Sequence, residues 1–224
     1  MIAKLLLQNL IWFGGMGLLL FVPAGTLHWP AAWVFLGTMI VLGVAGGLWL
    51  ARTDPALLAE RMRMTMPPDQ PAADKMFMLA FGVVALTWLV AIGLDRRLHG
   101  SGFPVPLEGF GLAMLLLSTG FIMWVMRVNS FAVPVVRVQS ERGHRVIDSG
   151  PYAWVRHPMY SGGLLFLLGT SLLLGSWWGV VMTPLFAVLF AIRTGIEERA
   201  LTAGLPGYGD YASRVHYRLL PGVW

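Results

Sequence analysis

From Leu5 to Ala51 the chain contains no Lys, Arg, Asp or Glu. This stretch is about twice the roughly 20 apolar residues that one helical membrane crossing needs. It also outruns the apolar core of a secretory signal peptide, although Lys4 precedes it and the small residues Ala24 and Gly25 interrupt it. Pro23, Gly25 and Pro30 divide it into two spans, predicted near residues 5–23 and 30–50. Three further uncharged runs follow, at residues 76–94, 109–126 and 158–192. The last is broken near its middle by Gly175-Ser176-Trp177-Trp178 and reads as a helical hairpin. Its halves, of about 16 residues each at 1.5 Å per residue, are short for full crossings, so they are tilted or re-entrant. The expected fold is therefore all-α: a multi-pass transmembrane helical bundle of five to six spans, the last two forming the hairpin.

Composition agrees, with 57% hydrophobic residues, 12% charged residues and a mean hydropathy of +0.69. A soluble domain carries about twice that charge. The net charge of +5 comes without any basic run, so it suits lipid headgroups and no nucleic acid. The absence of cysteine removes disulfides, thiolate nucleophiles and cysteine metal sites. With six crossings, only Arg96 and Arg97 of the 16 Lys and Arg residues fall on one side of the membrane. The positive-inside rule then makes the other side, with both termini, cytoplasmic and puts Trp177-Trp178 at the far interface. The proline-bearing segment from Arg52 to Lys75, with Pro55, Pro67, Pro68 and Pro71, is expected to be a polar connector.

Polar chemistry is concentrated between the last two apolar regions, in Arg142-Gly143-His144-Arg145 and Gly150-Pro151-Tyr152-Ala153-Trp154-Val155-Arg156-His157-Pro158-Met159-Tyr160. Pro158 suits the first position of a helix, which puts His157 at its cap. The first-turn N–H groups, with Arg156 beside them, would receive a carboxylate or phosphate. The hairpin returns Arg193 and the pair Glu197-Glu198 to the same side. Neighbouring helical residues point about 100° apart, so one glutamate faces the pocket while the other pairs elsewhere. Arg193, four residues before Glu197, offers such a partner, and this spacing favours Glu198 as the pocket residue. An anion-binding helix start, a carboxylate and several aromatics match a zwitterion with an additional positive centre, which S-adenosylmethionine is. His144 and His157 lack a close metal-ligand spacing, and no metal is expected.

From about Asn129 onward, Gly150-Pro151-Tyr152, Arg156-His157-Pro158-x-Tyr160, the apolar hairpin, Glu197-Glu198, Tyr208-x-x-Tyr211 and Leu220-Pro221 follow one another in order. This arrangement resembles the isoprenylcysteine carboxyl methyltransferase family, whose relatives include membrane phospholipid and small-thiol methyltransferases. The resemblance implies an S-adenosylmethionine-dependent methyltransferase with a cytoplasmic cofactor pocket. It implies cofactor contacts from His144, Tyr152, Arg156, His157, Tyr160, Glu197 and Glu198, with Glu198, Glu197 and Arg193 as the expected catalytic groups. Residues 129–224 would form the methyltransferase region, and residues 1–128 the transmembrane helices that select a lipophilic or small-molecule acceptor. Two other classes remain open on the residues alone. A dinucleotide-dependent membrane reductase would use the same helix start for phosphate, although no G-x-G-x-x-G pattern occurs. A transporter or structural subunit would carry charges within its spans, and these runs carry almost none.

Overall fold

A computed structural model describes residues 2–63, 70–100 and 102–224; Pro67 and Pro68 of the predicted connector lie outside these. Among the described residues eight α-helices run in the order α1 (Ile2–Ala24), α2 (Pro30–Thr53), α3 (Pro55–Arg61), α4 (Ala72–His99), α5 (Val105–Val128), α6 (Pro158–Leu173), α7 (Trp177–Gly204) and α8 (Tyr208–Arg214). Five of them, α1, α2, α4, α5 and α7, are long and apolar enough to cross a membrane. Large apolar side chains such as Leu10, Ile11, Trp12, Val41, Leu79 and Val181 stand on the outside of the bundle, as expected for a protein solvated by lipid.

Sequence punctuation accounts for the starts of α2, α3, α6 and α7. Pro30, Pro55 and Pro158 occupy first-turn positions where a missing N–H costs nothing. Asp54 caps α3 by accepting the N–H of Leu57 at 2.9 Å, and Ser176 caps α7 by accepting that of Gly179 at 3.1 Å. Two elements differ from expectation. The polar connector contains the short helix α3, and the second half of the hairpin is 28 residues long. The loss of apolar character at Arg193 ended the predicted span, but the helix continues because Ala, Leu, Glu and Arg over residues 193–204 are good helix formers even where they are polar.

Helices α5 and α6 pack most closely, because glycines let the backbones approach. A Cβ added at Gly169 would meet Leu115 N at 2.9 Å and Gly111 O at 3.0 Å. At one end of the bundle Asp95 is buried but fully engaged, accepting from Ser176 Oγ (2.6 Å) and Trp178 N (3.2 Å) and meeting His99 Nδ1 (2.6 Å). His99, isolated in the sequence, thus acquires a partner, and Trp177 packs edge-on to Phe103 beside it. At the other end lie α3 and the C-terminal segment, beside a cleft lined by the segment 129–157, the start of α6, the end of α7 and α8.

Candidate functional site

The segment 129–157 holds its shape by engaging its own polar groups. Gln139 is fully buried. Its side chain donates to Phe131 O at 2.9 Å and accepts from Arg142. Its backbone N–H donates to His144 Nδ1 at 3.2 Å, which leaves Nε2 of the neutral ring to carry the proton. The tight return at Gly143 has φ 68°, a conformation glycine adopts without penalty. The His144 ring stacks on Phe131 with centroids 4.4 Å apart. Burial depresses the His144 imidazole below its ordinary value and outweighs the opposing charge of Glu197, so this ring stays neutral.

Tyr152 accepts a hydrogen bond from Asn129 Nδ2 on its hydroxyl (2.8 Å) and one from Tyr211 on its backbone carbonyl (2.8 Å). Tyr208 lies on the same face of α8, one turn before Tyr211. Its hydroxyl is buried and has no partner among the described residues. Burial pushes all three tyrosine hydroxyls well up, so each is a neutral hydrogen-bonding group.

His157 occupies the N-cap position of α6, as its place before Pro158 predicts, without a capping hydrogen bond from its side chain. The flanking backbone is fastened to the C-terminal segment: Arg156 N donates to Tyr217 O at 3.0 Å, and His157 N to Arg218 O at 2.9 Å. Arg156 is itself 8% exposed, with Nε on Glu198 (2.7 Å) and Nη1 on the carbonyls of Ala212, Val215 and His216. Much of its donor capacity, expected to serve a ligand, is therefore spent holding the fold.

The two glutamates differ sharply. Glu198 is surrounded by cations: Arg156, Arg218 Nε at 3.0 Å and His157 Nε2 at 3.3 Å. Glu197 accepts from the Tyr160 hydroxyl at 2.6 Å, has His157 Nδ1 at 3.5 Å, and lines the cleft. Tyr160 is held in a stack between His157 (5.7 Å, 6°) and Phe190 (5.0 Å, 11°). The preference for Glu198 as the pocket residue is thus reversed. Its premise was an Arg193–Glu197 pair, whereas Arg193 pairs with Asp74 at 3.4 Å and donates to Pro134 O. Spacing along one helix cannot reveal a buried carboxylate supplied by another.

Burial alone would lower the proton affinity of His157, but hydrogen bonds and charge from Glu197 and Glu198 outweigh it and hold the imidazole above its ordinary value. A raised folded-state pKa contributes stability fully below the unfolded value of about 6.5 and loses it as pH rises through the folded value. The parent is therefore expected to exceed His157→Gln in thermal stability most near pH 6, by a margin that shrinks as pH is raised above about 7. Melting curves in detergent check this, and a margin that widens with pH would contradict it.

The cleft has a cavity volume of about 100 Å³, below the roughly 300–1,000 Å³ of small-molecule sites, so its lining side chains must move apart to admit a ligand. His144, Tyr152, Arg156, His157, Tyr160 and Glu197 line it; Glu198 and Arg193 do not, and both stand behind its wall. Asn129, Phe131, Met159, Tyr208 and Tyr211 also line it, none of them among the expected site residues. The spacing Tyr208-x-x-Tyr211 was the available signal for the last two. Arg218, which neutralises Glu198, had none. A carboxylate at one point, the Arg145 guanidinium at another and the unpartnered Tyr208 hydroxyl suit a zwitterion with a further positive centre, while Arg137, which also lines the cleft, is held by Glu60 (3.1 Å) and Glu141 (2.7 Å). Among the described residues no three His, Cys, Asp or Glu side chains converge to hold a metal ion.

Residues 107–205 match the family described as phospholipid methyltransferase. Among curated relatives, the chain is 28% identical over 113 residues to the cobalt-zinc-cadmium resistance protein CzcN of Cupriavidus metallidurans, covering 48% of this chain and 50% of that protein. It is 28% identical over 121 residues to protein-S-isoprenylcysteine O-methyltransferase B of Arabidopsis thaliana, covering 49% and 57%. It is 39% identical over 82 residues to the Mus musculus protein-S-isoprenylcysteine O-methyltransferase, covering 35% and 29%. The matched stretches thus span between about a third and a little over half of these relatives. The structure of a eukaryotic intramembrane Ras methyltransferase, isoprenylcysteine carboxyl methyltransferase, shares the fold with a TM-score of 0.63 at 20% identity, over 96% of this chain and 75% of that one.

Proposed function

Since this chain belongs to the membrane methyltransferase family of the phospholipid and isoprenylcysteine carboxyl methyltransferases, we propose that it binds S-adenosylmethionine in the cleft at the end of its bundle and transfers the methyl group to a lipophilic or small acceptor. The observation that carries this reading is the cleft itself, in which one partly exposed carboxylate, Glu197, faces a wall carrying arginines and neutral tyrosines. His144, Tyr152, Arg156, His157, Tyr160 and Glu197 would hold the donor directly. Glu198 would act from behind by fixing Arg156 and His157.

S-adenosylmethionine supplies an electrophilic methyl on a sulfonium. In an in-line displacement the methyl–sulfur bond breaks, its electron pair stays on sulfur, and the acceptor's lone pair forms the new bond. The protein's part is to align donor and acceptor at about 3–3.5 Å and to exclude water. The Glu197 carboxylate, oriented by Tyr160, stabilises positive charge at the cleft. A carboxylate acceptor needs no deprotonation; for a thiol or amine, Glu197 with His157 is the group placed to take the proton. The acceptor is proposed to enter from lipid at the mouth of the hairpin, with residues 1–128 selecting it.

The basic residues support a cell-membrane protein with the cleft and both termini cytoplasmic, since all except Arg96 and Arg97 belong to the cleft end. Purified protein in detergent is expected to bind S-adenosylhomocysteine and not NADPH. It is then expected to move labelled methyl groups into one of the lipid, thiol or prenylcysteine pools. NADPH binding without S-adenosylhomocysteine binding would favour the reductase instead and overturn the proposal.

A further inference from the structure

Asp74 stands in the first turn of α4, outside the matched region 107–205, and is 0% exposed. A carboxylate so deeply buried must be engaged, and this one draws together three separate parts of the chain. It accepts from Gln70 Nε2 at 2.7 Å and from the backbone N–H of Val136 at 2.9 Å. Its other oxygen lies 3.4 Å from Arg193 Nη2 of α7. Arg193 in turn donates to Pro134 O, and its guanidinium sits 4.9 Å from the Phe77 ring and 5.8 Å from the Tyr160 ring.

The consequence for the cleft follows from alternation along the wall. Val133, Val135 and Arg137 line the cleft, while the polar backbone groups of the residues between them, Pro134 O and Val136 N, are taken by Arg193 and Asp74. The same guanidinium lies against the Tyr160 ring, whose hydroxyl donates to Glu197. One buried ion pair therefore grips the wall at two points and backs the tyrosine that orients the pocket carboxylate. Neither Asp74 nor Arg193 lines the cleft.

We infer that Asp74 and Arg193 are a positioning pair that preorganises the methyl-donor cleft through the 133–137 wall and Tyr160, without touching the donor. The inference rests on the methyl-donor reading of the cleft. It also assigns Arg193 a place different from the catalytic one expected from sequence. Neutralising Asp74 strands a buried guanidinium, which moves to find new partners and releases the wall. A wall that must be ordered by the ligand lowers affinity, because part of the binding free energy is then used for ordering.

Asp74→Asn is expected to raise the dissociation constant for S-adenosylhomocysteine about tenfold or more, and the donor KM likewise, with a much smaller fall in kcat. Hydrogen exchange within 133–137, read at the Val133 and Val136 amides because Pro134 has none, is expected to accelerate while α5 and α6 keep their protection. Arg193→Lys retains the charge but not the planar fork, so it is expected to fall between parent and Asp74→Asn, and it serves the same comparison if the first variant folds poorly. Parental affinity and parental exchange at 133–137 in these variants would overturn the inference. So would a loss of protection spread evenly over the bundle, which marks a merely structural pair. If the parent itself fails to bind S-adenosylhomocysteine, the methyl-donor reading fails, while the exchange pattern still reports whether the pair holds the wall.

Discussion

Glu197→Gln is expected to lower methyl transfer by tenfold or more while leaving the melting temperature in detergent close to that of the parent. Glu197 is the carboxylate that lines the cleft, and the change keeps its volume and one acceptor oxygen for Tyr160. It removes the charge. Losing one partner of a partly desolvated charge pair typically costs about 2–5 kcal/mol, and about 1.4 kcal/mol already corresponds to tenfold in rate. Glu198→Gln is expected to act differently. Its carboxylate sits among Arg156, His157 and Arg218, and removing its charge leaves three cationic groups facing each other. Its main effect should be lower thermal stability and weaker donor binding, with the smaller loss of turnover at saturating donor. Steady-state kinetics with labelled donor, alongside melting curves for both variants, separate the two. Parental transfer by Glu197→Gln would remove this carboxylate from the site.

Removal of residues 217–224 is expected to abolish measurable S-adenosylhomocysteine binding, a loss of about 100-fold or more. The segment supplies the carbonyls of Tyr217 and Arg218 that accept from Arg156 N and His157 N, and Leu219 O, which accepts from Ser161 Oγ at 2.5 Å. It also supplies Arg218, the cation on Glu198. Each buried donor left without a partner costs about 1–3 kcal/mol, and three such groups converge on the turn that presents His157 to the cleft. Arg218→Gln keeps the backbone contacts and is expected to weaken binding by no more than about tenfold, since Arg156 and His157 still face Glu198. Isothermal titration of full-length, truncated and Arg218→Gln proteins tests this. Equal affinity of the truncated chain would show that the segment packs beside the site without building it.

The location of the polar site was legible in the primary structure. A chain so poor in charge that gathers Arg156-His157-Pro158-x-Tyr160 at the start of one apolar half-hairpin and Glu197-Glu198 at the end of the other must bring them together when the hairpin closes. His157, Tyr160 and Glu197 reach the cleft for this reason, and His144 and Tyr152 join them from the segment that precedes the hairpin. The assignment of partners was not legible. Helical spacing put Arg193 with Glu197, and the folded protein gives Arg193 to Asp74 and Pro134.

The sequence by itself determined that the chain is a helical membrane bundle, where its spans lie and at which end its chemistry collects. These depend on local properties: runs of apolar residues that only lipid can solvate, prolines that start helices, and glycines that end them. Only the tertiary structure decided which glutamate faces the cleft, that α3, through Arg61 on Ala132 O (2.7 Å) and Glu60 on Arg137 (3.1 Å), and Asp74 of α4 brace its wall, and that the C-terminal segment holds the start of α6. Each of these depends on buried ion pairs and hydrogen bonds between residues far apart in the chain. The low-dielectric interior makes such contacts strong and their absence costly, so each charged group goes to the partner that packing brings within reach, whatever its neighbours along the helix.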